Sequence, residues 1–435
     1  MRFPLPLDPW PHFGGERATR RAQVAIYALV LLVAAAEVVR SLGRQHAVIF
    51  EGYVQVGDLV LSGGDPYSLR LNTWPPFFFF VAAVLSLLAK LSPTLALLLW
   101  QIGDVLAIWG CCRLSARLFA PDSPGPAFWP RDGQTAFSSA DVLVPFLMTA
   151  RLFQEHVQHT QINAQILFLV LLAFTLFRER RVAAGGLSLA VAASTKAVPV
   201  LLLPYLLYKR AWRELGWTTA LLLVLNLALP AAVFGPARSL GDWRTWRAVA
   251  ARETADPTPH FMNQSFPAGL KRLFTEAGSA RDPIHYAVAD WSTRVVQGAF
   301  FAAVLAVALV LAYRFRRHPR DWADPRTAAE LAILLGAMVV VDPLAWKAHY
   351  VVLIVPYTFA WWALRRLPAD APGRMWRWTL WWVSFACITL SAPTLVGAHW
   401  RDVLESLNVI LIGALLLLVL AVSLVDAPRR AWEST

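Results

Sequence analysis

Cysteine is nearly missing from this chain: of 435 residues only Cys111, Cys112 and Cys387 are cysteines, all in or beside apolar runs and none at a metal-ligand spacing. That pattern excludes a disulfide framework and a cysteine-held metal as organising features. Charge is scarce as well, at 16% of residues, against about 25% in ordinary soluble domains. No polar stretch is long enough for a sizeable soluble domain, the longest running over roughly 235–294. No internal repeat is visible, which weighs against an inverted-repeat transporter. The first apolar run has no small-residue cleavage site after it, so Arg17, Arg20 and Arg21 read as the start of a retained signal-anchor.

What the chain has in quantity is apolar length. Hydrophobic residues make up 57% of it and the mean hydropathy is +0.50. Runs near 22–40, 95–112, 216–234, 295–314, 376–393 and 404–425 approach the roughly 20 residues that cross a bilayer. Shorter candidates lie near 77–91, 139–150, 164–177, 183–207, 328–342 and 350–366. Backbone groups in lipid must be satisfied internally, so these runs are helices. The expected fold is all-α and polytopic, one membrane domain over 1–435 with about 11 crossings and outer loops at 41–75 and 235–294. The net charge of +12 sits in short Arg clusters between apolar runs, where it sets topology and meets anionic lipid rather than nucleic acid.

Counting basic residues places the clusters at Arg17–Arg21, Arg178–Arg181, Lys209–Arg213, Arg314–Arg320, Arg365–Arg377 and Arg429–Arg430 on the cytoplasmic side. The loops at 41–75, 235–294, 342–349 and 394–403 then face outward. Two places strain this scheme. The stretch between Arg181 and Lys209 has both flanks on one side, so it rises and returns as a broken hairpin near Lys196 and Pro199. Arg113, Arg117 and Arg131 read as cytoplasmic by charge, whereas simple alternation puts them outside.

The polar motifs gather at the outward ends. They run in order as Glu51, Tyr53, Gly63-Gly64-Asp65-Pro66-Tyr67 and Trp74-Pro75-Pro76, then Thr160-Gln161-Ile162-Asn163, Arg178–Arg181, Gly185-Gly186 and Lys196-Ala197-Val198-Pro199. Asn263-Gln264-Ser265 and Asp342-Pro343-Leu344-Ala345-Trp346-Lys347-Ala348-His349 complete the series. In this order and placement the chain resembles the polytopic membrane glycosyltransferases of the GT-C fold, most closely the family 87 group that includes polyprenyl-phosphate-mannose-dependent α-mannosyltransferases. The resemblance covers most of the chain. Two positions depart from the family pattern: the first loop lacks the family's Asp at its expected place, and Ala348 replaces one His of a pair.

The resemblance implies transfer of a hexose, mannose by family, from a polyprenyl-phosphate sugar to a lipid or glycan acceptor at the extracytoplasmic face of the cell membrane. Membrane lipids would be partners, and no cofactor beyond the lipid-linked donor would be needed. Such chemistry needs a base for the acceptor hydroxyl and cations for the departing phosphate. Glu51 is the first candidate base and Asp58 the second, each also readable as an interfacial carboxylate. Asp65 comes behind them, because Asp before Pro is explained by turn chemistry, and Tyr67 follows in the same turn. His349, beside Trp346 and Lys347, is placed to bind the donor phosphate or orient a hydroxyl, or to belong to an aromatic interface belt. Lys196 lies in an apolar run, where an ammonium wants a partner such as phosphate or snorkels to the surface.

Gln161 and Asn163 offer amides to sugar hydroxyls or cap a helix, and Asn263 and Ser265 belong to a loop that closes over the sugar. Arg151, Glu155, His156 and His159 read as a solvated helix face rather than a metal site. Asp104 is an intramembrane carboxylate that pairs with an Arg on a neighbouring helix or has a functional role. The rival readings are a transporter or lipid flippase, for which midplane polar groups are expected, and a purely structural membrane partner.

Overall fold

The computed structural model describes residues 15–44, 48–69, 72–119, 139–276, 283–284, 286–316 and 321–425. Arg131, residues 317–320 and Arg429–Arg430 lie outside them. Among the described residues every element is helical. The first half comprises α1 (Gly15–Arg44), α2 (Val48–Ser62), α3 (Phe78–Leu91), α4 (Pro93–Leu118), α5 (Ser139–Gln158), α6 (Asn163–Arg178), α7 (Val182–Thr195), α8 (Leu202–Tyr208), α9 (Trp212–Leu223) and α10 (Leu229–Phe234). The second comprises α11 (Pro236–Ala255), α12 (Phe266–Phe274), α13 (Thr293–Phe315), α14 (Pro325–Val341), α15 (Ile354–Arg365), α16 (Arg374–Phe385), α17 (Pro393–Val396), α18 (Ala398–Ser406) and α19 (Val409–Leu424).

Among the described residues three helices are long and apolar enough to cross a membrane: α4, the continuous α9–α10 rod over Trp212–Phe234, and α13. The pair α18 and α19 makes a fourth if its 58° bend is counted within one crossing. Apolar helices at Phe78–Leu91, Asn163–Arg178, Val182–Thr195 and Val198–Tyr208 are shorter, and the expected count of about 11 is not confirmed. α13 turns Val295, Phe301, Leu305 and Leu309 outward, the exposure of a helix whose solvent is hydrocarbon.

Hydrogen bonds fix how the helices run. Arg178 on α6 donates to the Arg117 carbonyl at the end of α4, while Trp100 near the start of α4 donates to the Thr160 carbonyl just before α6. α4 and α6 are therefore parallel, with α5 running back between them. Arg113 and Arg117 share an end with Arg178–Arg181, which removes the conflict between charge and alternation. The conflict arose from counting 77–91 as a crossing. α3 instead lies parallel to α2, with Phe78 on Tyr53 and Tyr53 on Trp100. Gly57 permits this approach, since a Cβ there would enter the Ala82 carbonyl.

The same basic end gathers the close of α8, the close of α13 and the start of α14. Lys209 pairs with Glu330 at 2.8 Å and donates to the Phe315 carbonyl. Between Arg181 and Lys209 the chain rises through α7 and returns through a short 3-10 turn at Val198–Leu201 and α8. This is the broken hairpin expected from Lys196 and Pro199. α7 can be squeezed between its neighbours because Gly185 faces Phe177 of α6 and Gly186 faces Trp217 of α9.

Candidate functional site

The hairpin brings Lys196 to the end of the bundle opposite the basic one. Its ammonium donates to Asn163 Oδ1 at 2.7 Å, at the first residue of α6. Asp342 and His349 complete the polar group, with His349 Nδ1 3.9 Å from Asp342 Oδ2. Asp342 follows the last residue of α14 and its other oxygen accepts from the Leu344 N–H. His349 sits in the 3-10 turn Lys347–Leu353, and its Nδ1 is buried.

These four side chains head a cleft between α6 and α14. From α6 the cleft takes Asn163, Ile166, Leu167 and Val170, and from α14 Leu335, Met338, Val339 and Asp342. Both sets follow the one-face helical spacing, so each helix offers a polar group at its end and an apolar stripe below. The arrangement suits a ligand with a charged head and a hydrocarbon tail. Gln161 stands at the rim, its Oε1 accepting from Asn163 Nδ2 at 3.4 Å.

Other sequence candidates lie elsewhere. Asp58 accepts from Ser86 Oγ at 2.7 Å and pairs with Lys90 at 3.2 Å. A half-exposed pair of this kind is worth little, so Asp58→Asn is expected to leave sugar transfer by membranes within about twofold of wild type, as a carboxylate far from chemistry should. Asp65 caps a turn by accepting the Tyr67 N–H, and Tyr67 donates to the Trp74 carbonyl at 3.0 Å. α11 pins this loop: Arg238 donates to the Gly64 carbonyl and Trp246 to the Thr73 carbonyl. Burial, opposed by Arg238 and helped by Asp65, holds the Asp242 carboxyl on α11 above the usual carboxylate range. Glu51 rides on α2, whose neighbouring Phe50 N–H donates to Thr160 Oγ1, so that helix is docked at the rim beside Gln161.

The side chains of Asn263 and Ser265 bond within the protein itself. Asn263 is fully buried and donates to the Thr258 and Pro343 carbonyls. Its Oδ1 accepts from the Ser265 and Ala345 N–H groups. Ser265 caps α12 and donates to Pro343. Both residues staple the outer segment to the loop that carries Asp342 and His349. Asn263→Ala is expected to lower stability by roughly 2–4 kcal/mol through the buried groups it orphans, read as a lower thermal midpoint in detergent, with transfer per folded molecule retained.

Lys347 is likewise committed to structure, lying 3.0 Å from both Glu155 and Glu405. Arg151 joins Glu405 at 2.8 Å. The run Arg151, Glu155 and His156 is therefore a buried network and not a solvated helix face, and no three His, Cys, Asp or Glu side chains converge on a possible metal position among the described residues. Trp346 is partly exposed and stacks near His260. Sequence reasoning passed over Asp342, though its place after the last turn of an apolar helix and before Pro343 is visible in the chain. Of the two readings open for Asp104, the structure replaces the arginine partner with His156 and leaves the functional one open.

The curated proteins compared give no match to the chain. The profile of glycosyltransferase family 87 matches residues 72–343, a span that contains Asn163, Lys196 and Asp342 of the cleft and Gln161 at its rim. Since this is well over half of the sequence, the chain belongs to glycosyltransferase family 87.

Proposed function

We propose that the protein moves a hexose, mannose by family resemblance, from a polyprenyl-phosphate donor to a hydroxyl of a lipid or glycan acceptor at the extracytoplasmic face of the cell membrane. The observation that carries this reading is the joining of an apolar groove to one polar head group of Lys196, Asn163, Asp342 and His349. The prenyl tail lies along the α6 and α14 stripes, and the Lys196 ammonium faces the phosphate as charge builds on it. Asn163 and Gln161 meet the sugar hydroxyls. His349, with Asp342 behind it, takes the acceptor proton, a role for which an imidazole beside a carboxylate is suited. Glu51, on the helix docked at the rim, is the second candidate for that proton.

The test is transfer of radiolabelled mannose from polyprenyl-phosphate-mannose in membranes carrying the wild-type chain. Label appearing in an acceptor, dependent on His349, supports the reading. Movement of the intact lipid-linked sugar across vesicles without bond cleavage favours the flippase instead, and use of another hexose corrects the sugar alone.

A further inference from the structure

A second polar cluster lies inside the bundle, made by side chains of α2, α4, α5 and α6. Asp104 on α4 is fully buried, as is His156 on α5, and His156 Nε2 lies 3.2 Å from Asp104 Oδ1. Gln165 on α6 donates to the same oxygen. Gln101, one turn before Asp104 on α4, donates to the Val157 carbonyl beside His156. Around this pair four buried polar atoms have no hydrogen-bond partner among the described residues: Asp104 Oδ2, His156 Nδ1, Gln101 Oε1 and Gln165 Oε1. Isolated orphans of this sort are rare in folded proteins, and a group of them calls for water or for an exchanging proton. Tyr53 on α2 packs on Trp100, one turn before Asp104 on α4, and α5, which carries His156, packs against the 3-10 turn that carries His349.

We propose that Asp104 and His156 form a buried proton-holding couple that serves the cleft, with ordered water linking His156 to His349. The inference rests on the transferase reading above. When the acceptor oxygen bonds to the anomeric carbon, the bond from that carbon to the phosphate oxygen breaks and its electron pair leaves with the phosphate. The acceptor proton moves to the neutral His349 ring and on through water to Nδ1 of His156. The Asp104 carboxylate balances the imidazolium so formed, and the proton returns by the same route to solvent after the products leave. An Asp behind an imidazole fixes its tautomer and stabilises its charged form without itself taking the proton. Asp104 is thus a positioning residue acting through His156.

The titratable groups facing the couple are Tyr53 from α2 and His349 from the 3-10 turn, with Lys196 and Asp342 acting in turn on His349. None of them is an arginine or lysine in contact with Asp104. An apolar helix has no packing use for a carboxylate in this position, and its charged partner among the described residues is the His156 ring rather than an arginine or lysine.

The full-length chain in lipid vesicles, with Asp104→Asn, Asp104→Glu and His156→Asn, gives the test. Asp104→Asn and His156→Asn are expected to lower kcat about a hundredfold, within the range of a lost proton-transfer aid, with donor KM unchanged. The kcat against pH profile should lose its wild-type limb, and Asp104→Glu should restore part of both. Wild-type rates and profile in Asp104→Asn overturn the proposal. So does a loss shared among folded yield, donor KM and kcat, which marks a structural role. Infrared difference spectra supply a readout apart from transfer, because the band assigned to Asp104 by its loss in Asp104→Asn should change with pH and shift in His156→Asn. If wild type transfers no sugar, the transferase reading fails, and these spectra decide the couple alone: a titrating, His156-dependent band supports it and an invariant one overturns it.

Discussion

Lys196→Met reduces sugar transfer by a factor of about a hundred or more, the cost of removing one preorganised stabiliser of developing negative charge. Methionine matches the length and apolar stem of lysine, so the change subtracts the charge and little volume. The Lys196 ammonium has a single hydrogen-bond partner among the described residues, Asn163 Oδ1, and two of its three donors remain for a ligand. A lysine in so apolar a setting is costly unless an anion compensates it. Lys196→Arg, which keeps the charge and changes its shape, should recover part of the rate. Initial rates at saturating and limiting donor, in vesicles matched for folded protein, measure both. Equal rates for wild type and Lys196→Met remove the phosphate from this position.

The second large effect concerns the proton. Asp342→Asn and His349→Ala are each expected to lower kcat about a hundredfold, within the range of general base catalysis, and the double variant should be scarcely worse than either, because groups that act as a unit are not additive. The 3.9 Å gap between His349 Nδ1 and Asp342 Oδ2 is long for a hydrogen bond and short enough to close on a bound substrate. Glu51→Gln should keep transfer within about tenfold of wild type, the effect of a rim group that orients and does not itself take the proton. The reverse ordering, with Glu51→Gln the more damaging, moves the base to the first outer loop.

Local features of the chain were legible in its sequence where the physics is local. An apolar run interrupted by Lys196 and Pro199 between two basic flanks predicts a hairpin broken at its tip, because the charge and the missing N–H both disfavour a continuous helix there. The amide pair Gln161 and Asn163 marks a helix start, and α6 begins at Asn163. The turn chemistry of Asp65 before Pro66 is equally local, and the structure shows the Asx-type bond it predicts.

What escaped the sequence depends on partners remote along the chain. Asp104 meets His156 across 52 residues, and Arg151 meets Glu405 across 254. No spacing rule links such pairs, so a buried network read as a solvated face. Asn263 looks like a substrate amide when seen alone, and becomes a staple only when the carbonyls of Thr258 and Pro343 and the Ala345 N–H are beside it. The length of the run at 77–91 suggested a crossing, but the direction of α3 is set by Gly57 letting it lie along α2, a tertiary fact with no hydropathy signal. The cleft itself is a product of two helices from distant parts of the chain, and only its single residues could be singled out beforehand.

The most direct check of the donor cleft is equilibrium binding of polyprenyl phosphate, without sugar, to the purified chain in lipid nanodiscs, compared with Lys196→Met and with a bulky change on the apolar stripe, Val170→Trp. The account predicts saturable binding by wild type, weakened about tenfold or more by either change, as loss of a charge-assisted contact or of a fitted apolar wall should do. Binding that is unchanged in both variants would contradict it, because the phosphate and the prenyl chain would then be held somewhere other than the groove between α6 and α14.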